Sequence, residues 1–155
     1  MTEKVAKKVG EAYAFGQILA DTFADNTDVM TKIFGDRASD INATTELQRT
    51  SLQKRAKHYD KDSVVLTKAT KTATKITTMG EMYVGDDWDD PAEVLEWMSF
   101  FVGGAIVHWQ LLIGSAQAMG DEEFLHIVHT GVEYYTDLLE QLKSYAITIG
   151  TQRAE

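Results

Sequence analysis

The sequence contains no cysteine and only one proline among its 155 residues. Without a thiol there is no disulfide, thiolate zinc site, iron–sulfur cluster or cysteine nucleophile. Alternating runs typical of β-strands are almost absent, and so are glycine-rich phosphate-binding patterns and the GxSxG motif of serine hydrolases. The segment MTEKVAKKVGEAYAF lacks the apolar core of a signal peptide, so we expect a cytoplasmic protein. The fold class that remains is all-α.

Basic residues are scarce in the second half of the chain. Residues 1–80 contain 13 Lys and Arg against 10 Asp and Glu, whereas residues 81–155 contain 2 against 14. The acidic balance argues against nucleic acid as a partner. The asymmetry predicts pairing between the halves, within one chain or between copies in a homo-oligomer. Solvated faces on a helical protein explain it equally well.

Helix start and stop signals are clear. Asp90 and Pro91 provide an N-cap and a proline at the first helical position, while Gly120 ends that helix and Asp121 caps the next. We therefore predict a single domain over residues 1–155, its last two helices forming an antiparallel hairpin. The predicted helices cover residues 3–25, 27–34, 39–59, 63–84, 91–119 and 121–149. Those at 39–59 and 63–84 are either separate or continuous.

Apolar residues spaced alternately by four and three mark the inner seam of each long helix. The seams are Val5, Val9, Ala12, Gly16, Leu19 and Phe23; Val65, Ala69, Thr72, Ile76, Met79 and Tyr83; Val94, Met98, Phe101, Ala105, His108, Leu112, Ser115 and Met119; and Val128, Gly131, Tyr135, Leu138, Leu142, Tyr145 and Ile149. Such helices with short connections predict an antiparallel four-helix bundle with one or two extra short helices. The apolar run from Val94 to Ile113 carries Glu96 and His108, so we interpret it as a buried central helix and expect no membrane partner.

A group of titratable residues near the C-terminus has the spacing of a metal site. His126, His129, Glu133 and Asp137 fall within roughly 80° of one another on a helical wheel. Their centre lies opposite the seam through Tyr135, which favours a solvated face. A surface metal site, an oligomer contact and a pH-sensitive patch remain alternatives.

His108 falls inside a seam, between Ala105 and Leu112. A lone buried histidine is usually a core residue whose ring nitrogens are hydrogen-bonded, and the alternative is contact with a ligand or a metal. Aromatic residues crowd its helix, which suits an apolar pocket or a subunit interface. The predicted ligand-binding residues are His108, Phe101, Trp109 and Tyr135. As a metal ligand, His108 would act with flanking acids such as Glu11.

The segment GGAIVHWQLLIGSAQAMGDEEFLHIVHTGVEYYTDLLEQLKSYA resembles the last helical hairpin of the ferritin-like superfamily, particularly its small bacterial stress proteins. The resemblance implies the fold and a stress-linked role. The di-iron chemistry of that family needs two Glu-x-x-His pairs. This chain has Glu133-Tyr134-Tyr135-Thr136 and Glu46-Leu47-Gln48-Arg49, each without the histidine. The resemblance therefore does not extend to oxidase activity.

Three functional hypotheses follow. The first is a non-enzymatic binding or structural protein that forms homo-oligomers, needs no cofactor and accommodates a small apolar ligand. The second is an oxidoreductase or storage protein for iron or another divalent metal. Its candidate ligands are His108, Glu11, His126, His129 and Glu133. The third is a globin-like helical sensor, although no histidine lies between His58 and His108 to serve as a haem ligand.

Overall fold

The computed structural model describes residues 1–155, and the protein is all-α, without a β-strand. The helices are α1 (Glu3–Asp25), α2 (Thr27–Phe34), α3 (Ile41–His58), α4 (Asp62–Val84), α5 (Pro91–Met119) and α6 (Glu122–Ala154), with a 3-10 segment (Gly35–Asp40) between α2 and α3. The predicted bounds hold within a few residues, except that α6 continues to Ala154. Helices α3 and α4 are separate, because Asp60 between them adopts a positive φ of 54°.

Caps confirm the predicted start and end of α5 and the predicted start of α6. The Asp90 carboxylate accepts a hydrogen bond from the backbone N–H of Ala92 at 2.8 Å. Gly120 ends α5 in the left-handed region at φ 62°, and the Asp121 carboxylate then accepts the N–H of Phe124 at 2.9 Å. These side-chain acceptors satisfy N–H groups that the first helical turn leaves without a partner.

Close packing of the long helices creates one core. Helix α1 packs mainly on α4 and α3, α5 packs mainly on α6, and α1 also contacts α5. Helices α5 and α6 pack closely at Gly131, where a Cβ atom would lie 2.3 Å from the Trp109 ring. At Gly10 a Cβ atom would lie 2.5 Å from the Val65 carbonyl oxygen of α4. Glycine at these two positions therefore sets the spacing between the helices.

The seam prediction is confirmed for most of α1 and for α6 as far as Leu142, but it is wrong at two places. Met79 and Tyr83 of α4 are exposed, at 58% and 42%. The α4 residues Gly80 and Val84 are buried instead. At Gly80 the Trp97 ring of α5 packs so closely that an added Cβ atom would lie 3.2 Å from it. The four-three spacing thus does not continue to the end of α4.

In α5 the predicted seam is confirmed at Val94, Met98, Phe101, Ala105 and Leu112, which are buried, but not at His108, Ser115 and Met119. The His108 side chain is 31% exposed, so it is not a fully buried seam residue. Ser115 is half-buried, while Trp109 and Ala116 are completely buried. The core face of α5 therefore includes most of the predicted seam and extends beyond it to Trp109, whose ring packs against Gly131 of α6.

Helix α5 is only partly covered. It is the one helix long and apolar enough to span a membrane by length and composition, and 33% of its most apolar window is buried. The expected buried central helix is therefore right for one face. The other face presents Phe100, Val107 and Leu111, which are 63%, 55% and 52% exposed.

The uneven charge of the two halves is partly paired within the chain. Arg55 of α3 contacts Asp121 and Glu123 at 2.7 and 2.8 Å. Arg37 contacts Asp137 of α6 at 3.2 Å. These pairs join the basic first half to the acidic second half, as the charge asymmetry predicts.

Candidate ligand-binding cleft

A cleft of about 350 Å³ opens between α1, α4 and α5. Its apolar wall is formed by Phe15, Ile76, Met79, Trp97, Phe100 and Phe101. The rings of Phe15 and Phe101 meet edge to face, with centroids 5.1 Å apart. Phe15, Ile76, Trp97 and Phe101 are buried, whereas Met79 and Phe100 form an exposed rim. The cleft therefore has a rigid aromatic floor and an open edge.

Two depressions near Trp88 are larger than this cleft, at about 530 and 690 Å³, but their lining residues are more polar. Their linings are rich in acidic and amide groups, including Asp21, Asp25 and Asn26. Ligand sites are typically apolar with a few convergent polar groups. By that criterion the smaller cleft beside α5 is the better candidate.

The polar end of the cleft is organised around Glu11, which is only 8% exposed. The Lys8 and Lys68 ammonium groups lie 2.9 and 3.1 Å from its two oxygens. Burial raises the pKa of Glu11, but hydrogen bonds from these two lysines outweigh that effect and hold the pKa below its ordinary value of 4.5. Glu11 is therefore ionised at neutral pH.

His108 reaches the same carboxylate from α5. Its Nε2 lies 3.4 Å from Oε2 of Glu11, and its ring packs against Phe15 with centroids 4.9 Å apart. Nδ1 lies 2.8 Å from the carbonyl oxygen of Gly104. A carbonyl oxygen can only accept, so Nδ1 carries a proton and donates it. Nε2 is then left to accept a hydrogen bond in neutral histidine, or to donate one when the ring is protonated.

The structure brings together two of the predicted metal ligands, Glu11 and His108, but not the others. No group of three or more His, Asp or Glu side chains is arranged to hold a metal ion. His126, His129 and Glu133 are exposed on the outer face of α6, as the helical wheel predicts. At the cleft both Glu11 oxygens already face ammonium groups, which would repel a cation.

Of the predicted ligand-binding residues, Phe101 and His108 line the cleft, but Trp109 and Tyr135 do not. The latter two are completely buried between α5 and α6, with ring centroids 6.3 Å apart. Neither Trp109 Nε1 nor the Tyr135 hydroxyl has a hydrogen-bond partner. Burial therefore raises the pKa of Tyr135 strongly. Their role in the structure is core packing.

The cleft residues that were not predicted as site residues include Phe15, Lys68, Thr72 and Lys75. Their spacing contains a signal, because Lys68, Thr72 and Lys75 share one face of α4. Phe15 likewise lies one turn after Glu11 on α1. The sequence alone does not show that these faces meet.

Neither protein-family models, nor curated proteins, nor solved structures gave a match to this chain. A functional proposal for this chain therefore rests on the geometry and chemistry of the cleft.

Proposed function

We propose that this is a non-enzymatic binding protein whose cleft between α1, α4 and α5 holds a small, largely apolar molecule. The observation that carries the proposal is the set of six apolar side chains around a volume of about 350 Å³. Ligand pockets in proteins typically measure about 300–1,000 Å³ and combine apolar walls with a few polar groups. The polar end at Glu11 and His108 supplies that second component.

The chemistry of the polar end supports binding over catalysis. Its carboxylate, Glu11, contacts two ammonium groups, and its pKa is lowered. A general base works best with a pKa near the operating pH, so a carboxylate held below 4.5 is a weak one at neutral pH.

A titration with N-phenyl-1-naphthylamine, an uncharged probe that fluoresces in apolar surroundings, tests the proposal. We expect saturable binding of one probe per chain, weakened on the order of threefold to tenfold by Phe100→Ser. Leu47→Ser is the matched control, because Leu47 is 67% exposed on α3 and does not line the cleft. An absence of binding, or equal binding by the two variants, would refute the proposal.

For the architecture we propose a ferritin-like four-helix bundle that forms homo-oligomers. The α5–α6 hairpin and the short connections support the bundle. The exposed apolar side chains of Phe100, Val107 and Leu111 support association. The stress-linked role rests on the resemblance of the C-terminal hairpin alone.

The second candidate function is binding of iron or another divalent metal. Its support is that the fold brings two candidate ligands together, His108 Nε2 and Glu11 Oε2 at 3.4 Å. The Lys8 and Lys68 ammonium groups at the Glu11 oxygens oppose a cation there. Elemental analysis of protein purified without chelators or a metal-affinity tag separates the two functions. Metal binding predicts stoichiometric metal that His108→Ala removes, whereas the apolar-ligand function predicts none. His126→Ala is the control, since His126 is exposed on α6.

The third candidate, a globin-like sensor, is distinguished by the absorption spectrum. A sensor of that kind would purify with a visible chromophore. The apolar-ligand function predicts a colourless protein.

A further inference from the structure

The cleft carries more positive than negative charge. Lys68 and Lys75 line it together with His108 and the Thr72 hydroxyl, while Glu11 is its only acid. The single Glu11 carboxylate is already shared between Lys8 and Lys68. Lys75 forms no ion pair with any acid of the chain. One ammonium group at the edge of an aromatic cleft is therefore left without a counter-charge.

This local surplus is opposite in sign to the protein as a whole, whose net charge is −9. Salt screens charges more than about 8–10 Å apart, so the distant acidic residues act only weakly on a molecule inside the cleft. The nearest charges decide which ligand is favoured. A cationic ligand would have to compete with two lysines for Glu11, whereas an anionic ligand finds Lys75 free.

We propose that the ligand is an amphiphile with one anionic group, such as a carboxylate, sulfonate or phosphate, bound by Lys75. The apolar body packs against the aromatic wall around Phe101, and the Thr72 hydroxyl lies one turn from Lys75 on the same face of α4. Charge-assisted hydrogen bonds of this kind are stronger than neutral ones. This inference rests on the proposed function and adds the chemical class of the ligand.

Two probes with the same aromatic body test the inference. They are 8-anilinonaphthalene-1-sulfonate and N-phenyl-1-naphthylamine, which lacks the sulfonate. We expect the full chain to bind the sulfonate about fivefold to tenfold more tightly at low salt, and the difference to shrink as salt is added. Phe100→Ser should weaken the binding of both probes, which would show that both bind in the cleft.

Lys75→Gln is the decisive variant, and it should remove the preference for the sulfonate without weakening the uncharged probe. Lys71→Gln is its matched control, because Lys71 is an exposed α4 lysine without an ion pair that does not line the cleft. It should keep the preference.

Equal affinity for the two probes, or a preference for the sulfonate that survives Lys75→Gln, would refute the proposal that the ligand is anionic. Either result would leave the proposal of an apolar ligand in the cleft unaffected. Failure of both probes to bind would remove the proposed function itself.

Discussion

The Arg55 guanidinium of α3 holds Asp121, the N-cap residue of α6, with Nη2 2.7 Å from Oδ2. The Tyr59 hydroxyl donates to the same oxygen at 2.7 Å. The other carboxylate oxygen caps α6 by accepting the N–H of Phe124 at 2.9 Å. Asp121 is only 6% exposed. A single buried carboxylate therefore both starts a helix and connects the two halves of the chain.

Replacing Asp121 should destabilise the protein. Asp121→Ala removes the cap, leaves the Tyr59 hydroxyl without its acceptor and leaves Arg55 with Glu123 as its only carboxylate partner, so we expect a loss of about 2–4 kcal/mol in the free energy of unfolding. Asp121→Asn keeps a capping oxygen and should therefore lose less stability. Urea denaturation measures both. The control is Glu122→Ala, at an exposed neighbouring site, whose free energy of unfolding should stay within about 0.5 kcal/mol of the wild-type value. Equal losses of stability in Asp121→Ala and Glu122→Ala would contradict the role of Asp121.

The same carboxylate should make stability depend on pH. Burial raises the pKa of Asp121, but hydrogen bonds from Phe124, Tyr59 and Arg55 outweigh it and lower the pKa below 3.8. The folded state therefore gains stability from ionised Asp121 above that value and loses it as the pH falls through the lower folded-state pKa.

This dependence is measured by comparing wild type with Asp121→Asn between about pH 2 and pH 6. The difference in unfolding free energy should be constant above about pH 5 and shrink below the unfolded value of 3.8. A difference that does not change across this range would show that the charge of Asp121 contributes nothing.

Two glycines should respond in opposite directions to the same substitution. In Gly131→Ala the new methyl group would lie 2.3 Å from the buried Trp109 ring, so we expect a loss of about 1–3 kcal/mol from overpacking. At Gly114 nothing lies within 4 Å, and alanine should stabilise the helix by up to about 1 kcal/mol. Thermal and urea unfolding measure the stability of each variant relative to wild type. Similar effects at both positions would mean that α5 and α6 do not meet closely at Gly131.

The exposed face of α5 should control association. If homo-oligomers form through Val107 and Leu111, then Val107→Glu should dissociate them, because a buried unpaired charge costs several kcal/mol. Native mass spectrometry of the purified protein reports the subunit number. Leu47→Glu, on the exposed surface of α3, should leave the oligomer intact. A monomeric wild-type protein would refute the proposed association.

Much of the secondary structure could be predicted from local chemistry. Asp90-Pro91 and Gly120-Asp121 specify helix ends through groups within a few residues, and the structure confirms both. The seam of α6 through Tyr135 and Leu138 was also predictable, because one helix has one strongly apolar face. By contrast, α4 exposes Met79 where its apolar pattern predicts burial. That outcome depends on Trp97, which belongs to another helix.

The candidate site was predicted only in part. Glu11 and His108 are residue types able to bind a ligand or a metal, and the structure places His108 Nε2 3.4 Å from Glu11 Oε2. The sequence also predicts Trp109 as a ligand-binding residue, yet its ring lies against Gly131 on the α6 side of α5. Residues one position apart on a helix are about 100° apart around its axis, so His108 and Trp109 necessarily face different neighbours.

By itself, the sequence determined the all-α class, the helix ends and the exclusion of thiol chemistry, because these depend on residue type and on contacts a few positions apart. Tertiary structure alone decided that α1, α4 and α5 bring Glu11, Lys68, Lys75 and His108 around one aromatic cleft. The pairing of helix faces depends on packing between residues far apart in the chain. Glycine positions such as Gly10 and Gly131 set how closely those faces approach, and only the folded chain shows which side chain each glycine meets.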